Sequence, residues 1–150
     1  MTTTPSPSFI PVDNTELIEK LQLVVEGENA AVWAFGFLSS FFDDADETIA
    51  ISGYNLHRDN RDKARLRLRN LGITPARPME NYQLPFEVSS LPTAYQLAAF
   101  VENRLIGIYI QLFAIEYKEN RLETLQLALD GSIRYLEFKE KPKALPGNIN

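Results

Sequence analysis

The sequence predicts an all-helical four-helix bundle with one long crossover between its second and third helices. Apolar residues recur at three- and four-residue spacing through four long stretches. Capping residues stand where those stretches begin, and the nine prolines fall between them, outside them or in a first turn. At 150 residues the chain has the usual size of one domain, and 45% hydrophobic content with nine Phe and six Tyr is enough to bury a core without staples. A single domain over 1–150 is therefore expected, with its core at about 14–138 and a tail at each end.

The first helix is expected from Asn14 or Thr15 to about Phe42, where Asp43-Asp44-Ala45-Asp46 supplies a turn and the next N-cap. Helix two follows from about Asp46 to Leu71 and stops at Gly72. Pro75, Pro78 and Pro85 keep the next stretch irregular until Ser90-Leu91-Pro92, where a capping serine and a first-turn proline open helix three. That helix should reach about Lys118, with a break at Glu119-Asn120, and helix four should end near Phe138 because Pro142 and Pro146 interrupt the pattern. A helix of about 26 residues is about 39 Å long. An extended loop of about 18 residues can span about 60 Å. The proline-rich loop can thus cross the whole bundle, which makes helices two and three parallel and pairs one–two and three–four antiparallel.

Composition removes several kinds of function. The chain has no cysteine, so thiol catalysis, iron–sulfur clusters and Cys-based zinc sites are excluded. A net charge of −5 opposes general nucleic-acid binding. Arg58, Arg65 and Arg69 do share one side of helix two, but Asp59 and Asp62 beside them read as an ion-paired, solvated face. No apolar run approaches the roughly 18 residues of a membrane span. The N-terminus has neither a basic start nor an apolar h-region, so cytoplasm is the expected compartment. Phosphate-loop and nucleophile-elbow motifs are absent, and no histidine is paired with a nucleophile.

Polar residues interrupt the apolar faces at three places. Helix one carries Leu17, Leu21, Val24, Glu28, Val32, Phe35 and Phe42 on one stripe, with Glu28 at its centre. Helix three carries Tyr95, Ala98, Glu102, Leu105, Ile106, Tyr109 and Phe113, so Glu102 also points inward. On helix two the least charged face holds Gly53, His57, Asn60, Ala64, Leu68 and Leu71, with Tyr54 and Arg61 at its edge. Counted along the helices, His57 and Glu102 fall at nearly one height and Glu28 within about a turn of it.

Four segments resemble the ferritin-like superfamily, and in particular an uncharacterised bacterial family of ferritin-like domains of unknown function. They are Glu28-Asn29-Ala30-Ala31-Val32-Trp33-Ala34-Phe35-Gly36, His57-Arg58-Asp59-Asn60-Arg61-Asp62, Tyr82-Gln83-Leu84-Pro85-Phe86 and Val101-Glu102-Asn103. The resemblance covers about residues 14 to 138 and implies the fold; it brings no activity. In metal-binding ferritin-like proteins two helices each give a Glu and the other two each give Glu-x-x-His. Glu28 and Glu102 match the single-Glu positions and His57 one histidine. Tyr54 stands in place of a Glu, and the expected inward stripe of helix four, Leu122, Leu125, Leu129, Ser132 and Leu136, offers no ligand.

Two readings of these residues stay open. In one, Glu28, His57 and Glu102 hold a single iron or manganese ion in a metal-binding or oxidase-type protein. In the other there is no cofactor and no catalytic residue, and Tyr54, His57, Asn60 or Arg61 satisfies the two carboxylates in a buried polar cluster. The second makes the chain a non-catalytic binding or structural module, whose small-molecule ligand, if any, is not specified by sequence. Leu23, Ala30, Trp33, Phe37 and Phe41 give helix one a second apolar side, which must meet the crossover, a tail or another subunit. A homodimer is expected, with Leu23, Trp33, Phe37 and Phe41 at its interface.

Overall fold

A computed structural model describes the backbone of residues 12–144 and the side chains of residues 12–141. The proline-containing tails, with Pro146, lie outside the described residues. Four helices follow in order: α1 Thr15–Leu38, α2 Glu47–Asn70, α3 Leu91–Ile115 and α4 Lys118–Ala144. The expected lengths needed three corrections. α1 gives way to turns after Leu38 instead of running to Phe42, because Ser39 and Ser40 turn their hydroxyls back onto the carbonyls of Gly36 and Phe37. α3 stops at Ile115, since Glu116 is extended, and α4 starts at once at Lys118, which takes a positive φ of 52°. α4 then continues through Pro142 to Ala144; a proline costs the helix one N–H donor, and this one stands in its last turn.

Local chemistry explains the other boundaries. Gly72 adopts φ +75° after α2, and Ile73 N–H donates to the Leu68 carbonyl while Gly72 N–H donates to that of Arg69. This is the double closure that a left-handed glycine permits at a helix end. At the start of α3, the Ser90 side chain accepts from Thr93 N–H and the Thr93 hydroxyl from Ser90 N–H, with Pro92 in the first turn.

The crossover from Leu71 to Ser90 runs along α1. The Gln22 side chain brackets it, donating to the Thr74 carbonyl at 2.9 Å and accepting from Ala76 N–H at 2.8 Å. Farther on, Tyr82 meets Trp33, and Phe86 meets Phe100 edge-on. The crossover makes α2 parallel to α3. Tyr95 early in α3 donates to Asp46 at the start of α2, and Arg67 late in α2 pairs with Glu116 just past α3 at 2.6 Å.

Packing is uneven. α1 lies against α2 and α3, and α3 against α4, but among the described residues no Cα of α2 comes within 8 Å of one in α4. α3 is the central helix, with neighbours on two sides, and it is long and apolar enough by length and composition to cross a membrane. That corrects the expectation of no such run; Glu102, Asn103 and Arg104 sit midway along it, and α1 and α4 each cover one side of it, while Phe100 and Ile110 stay exposed. Two clusters fill the interior. Phe35, Leu38, Tyr95, Ala98 and Phe138 occupy one end, and Leu21, Val25, Leu68, Leu105 and Leu112 the other. The polar network lies between them.

The inward face of α4 differs from expectation. Thr124, Ala128, Gly131 and Phe138 face the interior, while Leu122, Leu129 and Leu136 are exposed, and Leu125 and Ser132 are half-buried. Small residues let α4 approach α3 closely: a Cβ on Gly131 would stand 3.3 Å from Ile106 and 3.5 Å from Glu102. A leucine there would push the helices apart.

Candidate functional site

Glu28, His57 and Glu102 are all fully buried and meet in one network. α1 places Glu28 in its apolar stripe one turn from Val24 and Val25. α2 places His57 on the face of Gly53, Asn60 and Ala64, and α3 places Glu102 between Ala98 and Leu105. Gly53 makes room for this arrangement. The Phe35 ring lies where a Cβ on Gly53 would be, 2.3 Å from its nearest carbons, and the same ring packs 5.0 Å from the imidazole.

The imidazole bridges the carboxylates, with Nδ1 2.7 Å from Glu28 Oε2 and Nε2 3.2 Å from Glu102 Oε1. A neutral ring would aim one lone pair at a carboxylate oxygen, so beside two ionised carboxylates this geometry favours the ring with both nitrogens protonated. Burial favours the neutral ring, but the hydrogen bonds and charges of Glu102 and Glu28 outweigh it and raise the His57 pKa to about 9. Tyr109 donates its hydroxyl to the other Glu28 oxygen. Burial and the Glu28 charge push that phenol well above its ordinary range, so it stays a donor.

Arg134 completes the network from α4. Its Nε donates to Glu102 Oε1 at 2.7 Å and its Nη2 to Oε2 at 3.1 Å. Burial alone would raise the Glu102 pKa, yet the bonds from His57 and Arg134 hold it below the usual carboxylate value. Two carboxylates therefore face two cations, and the chain of bonds passes through all four helices. It also ties α2 to α4, whose Cα atoms stay more than 8 Å apart among the described residues.

Other sequence-expected residues lie elsewhere. Tyr54 is on the surface, beside Gly36 and beneath the Arg58 guanidinium, and Arg61 is half-buried and pairs with Asp62 at 3.0 Å. Asn60 is buried one turn beyond His57, with no contact to either carboxylate among its described bonds. Tyr109 and Arg134 take the places expected of Tyr54 and Arg61. Tyr109 stood in the apolar stripe of helix three. Arg134 was missed because the leucines of helix four pointed to another face; Thr124, Ala128 and Gly131, at four- and three-residue spacing before it, were the available signal. Leu23, Trp33, Phe37 and Phe41 are half-buried, with the crossover partly over them: Tyr82 meets the Trp33 ring, Trp33 stacks on Phe37, and Phe37 lies tilted against Phe41.

The donor set does not fit a two-metal centre. Both imidazole nitrogens are turned to carboxylates, both Glu102 oxygens receive Arg134, and helix four supplies a cation where such a centre takes a ligand. Among the described residues no group of three or more His, Asp or Glu side chains is disposed to hold a metal ion. Beside the network, the gap between α2 and α4 opens a groove of about 800 Å³. Phe35, Ile49, Leu56 and Phe138 form apolar walls, and Arg134 and Lys141 stand among the charged residues lining it.

Similar folds occur in solved structures. A conserved hypothetical protein, rv2844, from Mycobacterium tuberculosis superposes with a TM-score of 0.80 at 19% identity, covering 86% of this chain and 98% of that one. A ferritin-like, diiron-carboxylate protein from Bacillus anthracis str. Ames gives 0.58 at 15% identity, covering 94% and 100%. At these identities the likeness concerns the fold, which is that of a ferritin-like all-α bundle. No curated protein matches the chain. Residues 20–150 match the family described as a domain of unknown function, DUF4439, and the chain belongs to that family.

Proposed function

We propose that this protein is a non-catalytic ferritin-like bundle, acting as a homo-oligomeric binding or structural module. One observation carries the non-catalytic part: each inward carboxylate already holds a cationic side chain, His57 between the two and Arg134 on Glu102. Such cations do the electrostatic work that metal ions do in metal-binding relatives of the fold, without open coordination positions or redox chemistry. The network then serves to join four helices, two of which keep their backbones apart, and function passes to the surfaces of the bundle. The α2–α4 groove and the exposed side of α4 are the surfaces available for it.

Metal analysis of chain purified without chelator tests this reading. Iron and manganese should be far below one per chain, and neither ion, when added, should raise the melting temperature. Glu28→Gln keeps the shape and one accepting oxygen and should be tolerated better than Glu28→Ala, which leaves a cavity and unpaired partners and should cost about 2–4 kcal/mol. About one metal per chain, with a metal-dependent rise in melting temperature that Glu28→Gln abolishes, would replace this reading with a metal site.

A further inference from the structure

We infer that a second copy of this chain packs on the outward face of α4, with the two α4 helices side by side and parallel about a two-fold axis. The inference rests on the homo-oligomeric part of the proposed function and names its surface. Leu122, Leu129, Ile133 and Leu136 are 51–68% exposed, although they are among the most apolar residues of their helix. With Gln126 they follow a four-three-four-three spacing, which draws one seam along a helix and is the repeat by which helices pack in pairs. Opposite the seam, Thr124, Ala128 and Gly131 already face the core, so among the described residues this stripe is left outside the bundle.

Area supports a stable partner. Four side chains exposed to this degree present on the order of 400 Å² of apolar surface, within the range of the largest patches that monomers expose, which are often functional. That is about half of the about 800 Å² per partner of a standard interface, so the polar flanks must supply the rest. The second side of α1 competes less well, because Tyr82 and the rest of the crossover partly cover it.

Charge selects both the occupant and the orientation. Glu123, Asp130 and Glu137 line one flank of the seam, and Lys118, Leu125, Ser132 and Lys139 line the other. In parallel pairs unlike flanks meet, so Lys118 faces Glu123 of the second copy, while Asp130 and Glu137 face Leu125 and Ser132. Antiparallel packing would bring acidic flank against acidic flank. The surface is therefore complementary to itself in one orientation, as a closed two-fold interface requires.

Light scattering after size exclusion on the full chain should give twice the chain mass at micromolar concentration. Ile133→Glu should weaken association at least tenfold with an unchanged helical circular dichroism spectrum, and Trp33→Glu should leave it unchanged. Because the chain has no cysteine, Leu122→Cys gives one thiol, which in the parallel pair meets its own copy and, with an added disulfide oxidant such as oxidised glutathione taking up the two electrons and two protons, forms a covalent dimer. Crosslinking only when Leu136→Cys is added would overturn the parallel arrangement. A dimer broken by Trp33→Glu and not by Ile133→Glu would overturn the α4 surface while keeping the homo-oligomeric reading. A monomer at every concentration would overturn both, and none of these outcomes bears on the metal test.

Discussion

Arg134→Leu is the most direct test of the network. Arg134 gives Glu102 two charge-assisted hydrogen bonds, at 2.7 and 3.1 Å, and such bonds are worth about 1.5–3 kcal/mol each. The guanidinium is one-quarter exposed, so part of that is shared with water, while Glu102 is fully buried and would keep only His57. Removing one partner of a buried ion pair costs about 3–5 kcal/mol. Partial exposure places this case near the lower end, about 3 kcal/mol. Urea unfolding followed by circular dichroism reads it directly: with a slope of about 2 kcal/mol per molar, the midpoint should fall by about 1.5 M. The double variant Glu102→Gln/Arg134→Leu separates the pair from general loss of packing. If the two groups act together, the double variant should be no less stable than Arg134→Leu, with a coupling of about 2 kcal/mol. Single effects that add to within about 0.5 kcal/mol would refute the account of Arg134 as the partner of a buried charge. Should Arg134→Leu fail to fold, a folded double variant still shows that the coupling is favourable, since the two differ only in the uncompensated charge.

Stability should also depend on pH in a defined direction. His57 binds its proton more tightly folded, to about pH 9 against 6.5 in the free side chain, so its contribution is complete below pH 6.5 and is lost as pH rises through 9. The loss should reach about 3 kcal/mol at most. Glu102 shifts the other way; its contribution is present above pH 4.5 and lost as pH falls through its lowered folded value. Melting temperatures should be highest between these limits, and His57→Gln should flatten the alkaline side; an unchanged alkaline side would mean that His57 is neutral in the fold. Gly53→Ala should cost about 2 kcal/mol, because its Cβ would meet the Phe35 ring at 2.3 Å and push that ring off His57. Chemical denaturation measures it, and a neutral substitution would show that the ring moves freely.

The sequence by itself determined which stretches are helices, that the proline-rich crossover spans the bundle, and that Glu28, His57 and Glu102 point inward at one height. These follow from local rules: a 3.6-residue period, caps at Ser90 and Gly72, and the interruption of an apolar stripe by a charge. Only the tertiary structure decided what those three residues touch. Tyr54 and Arg61 were plausible by position on α2, but a rotation of a few tens of degrees turns them outward, while Tyr109 and Arg134 reach the carboxylates from other helices. The face of α4 was misplaced for the same reason. Hydrophobicity favoured a leucine core, whereas close packing on α3 took Thr124, Ala128 and Gly131 and left the leucines in water. Periodicity gives the direction of a side chain on its own helix, but the rotation of that helix against its neighbours depends on how closely they can approach, and that is set by residues far apart in the chain.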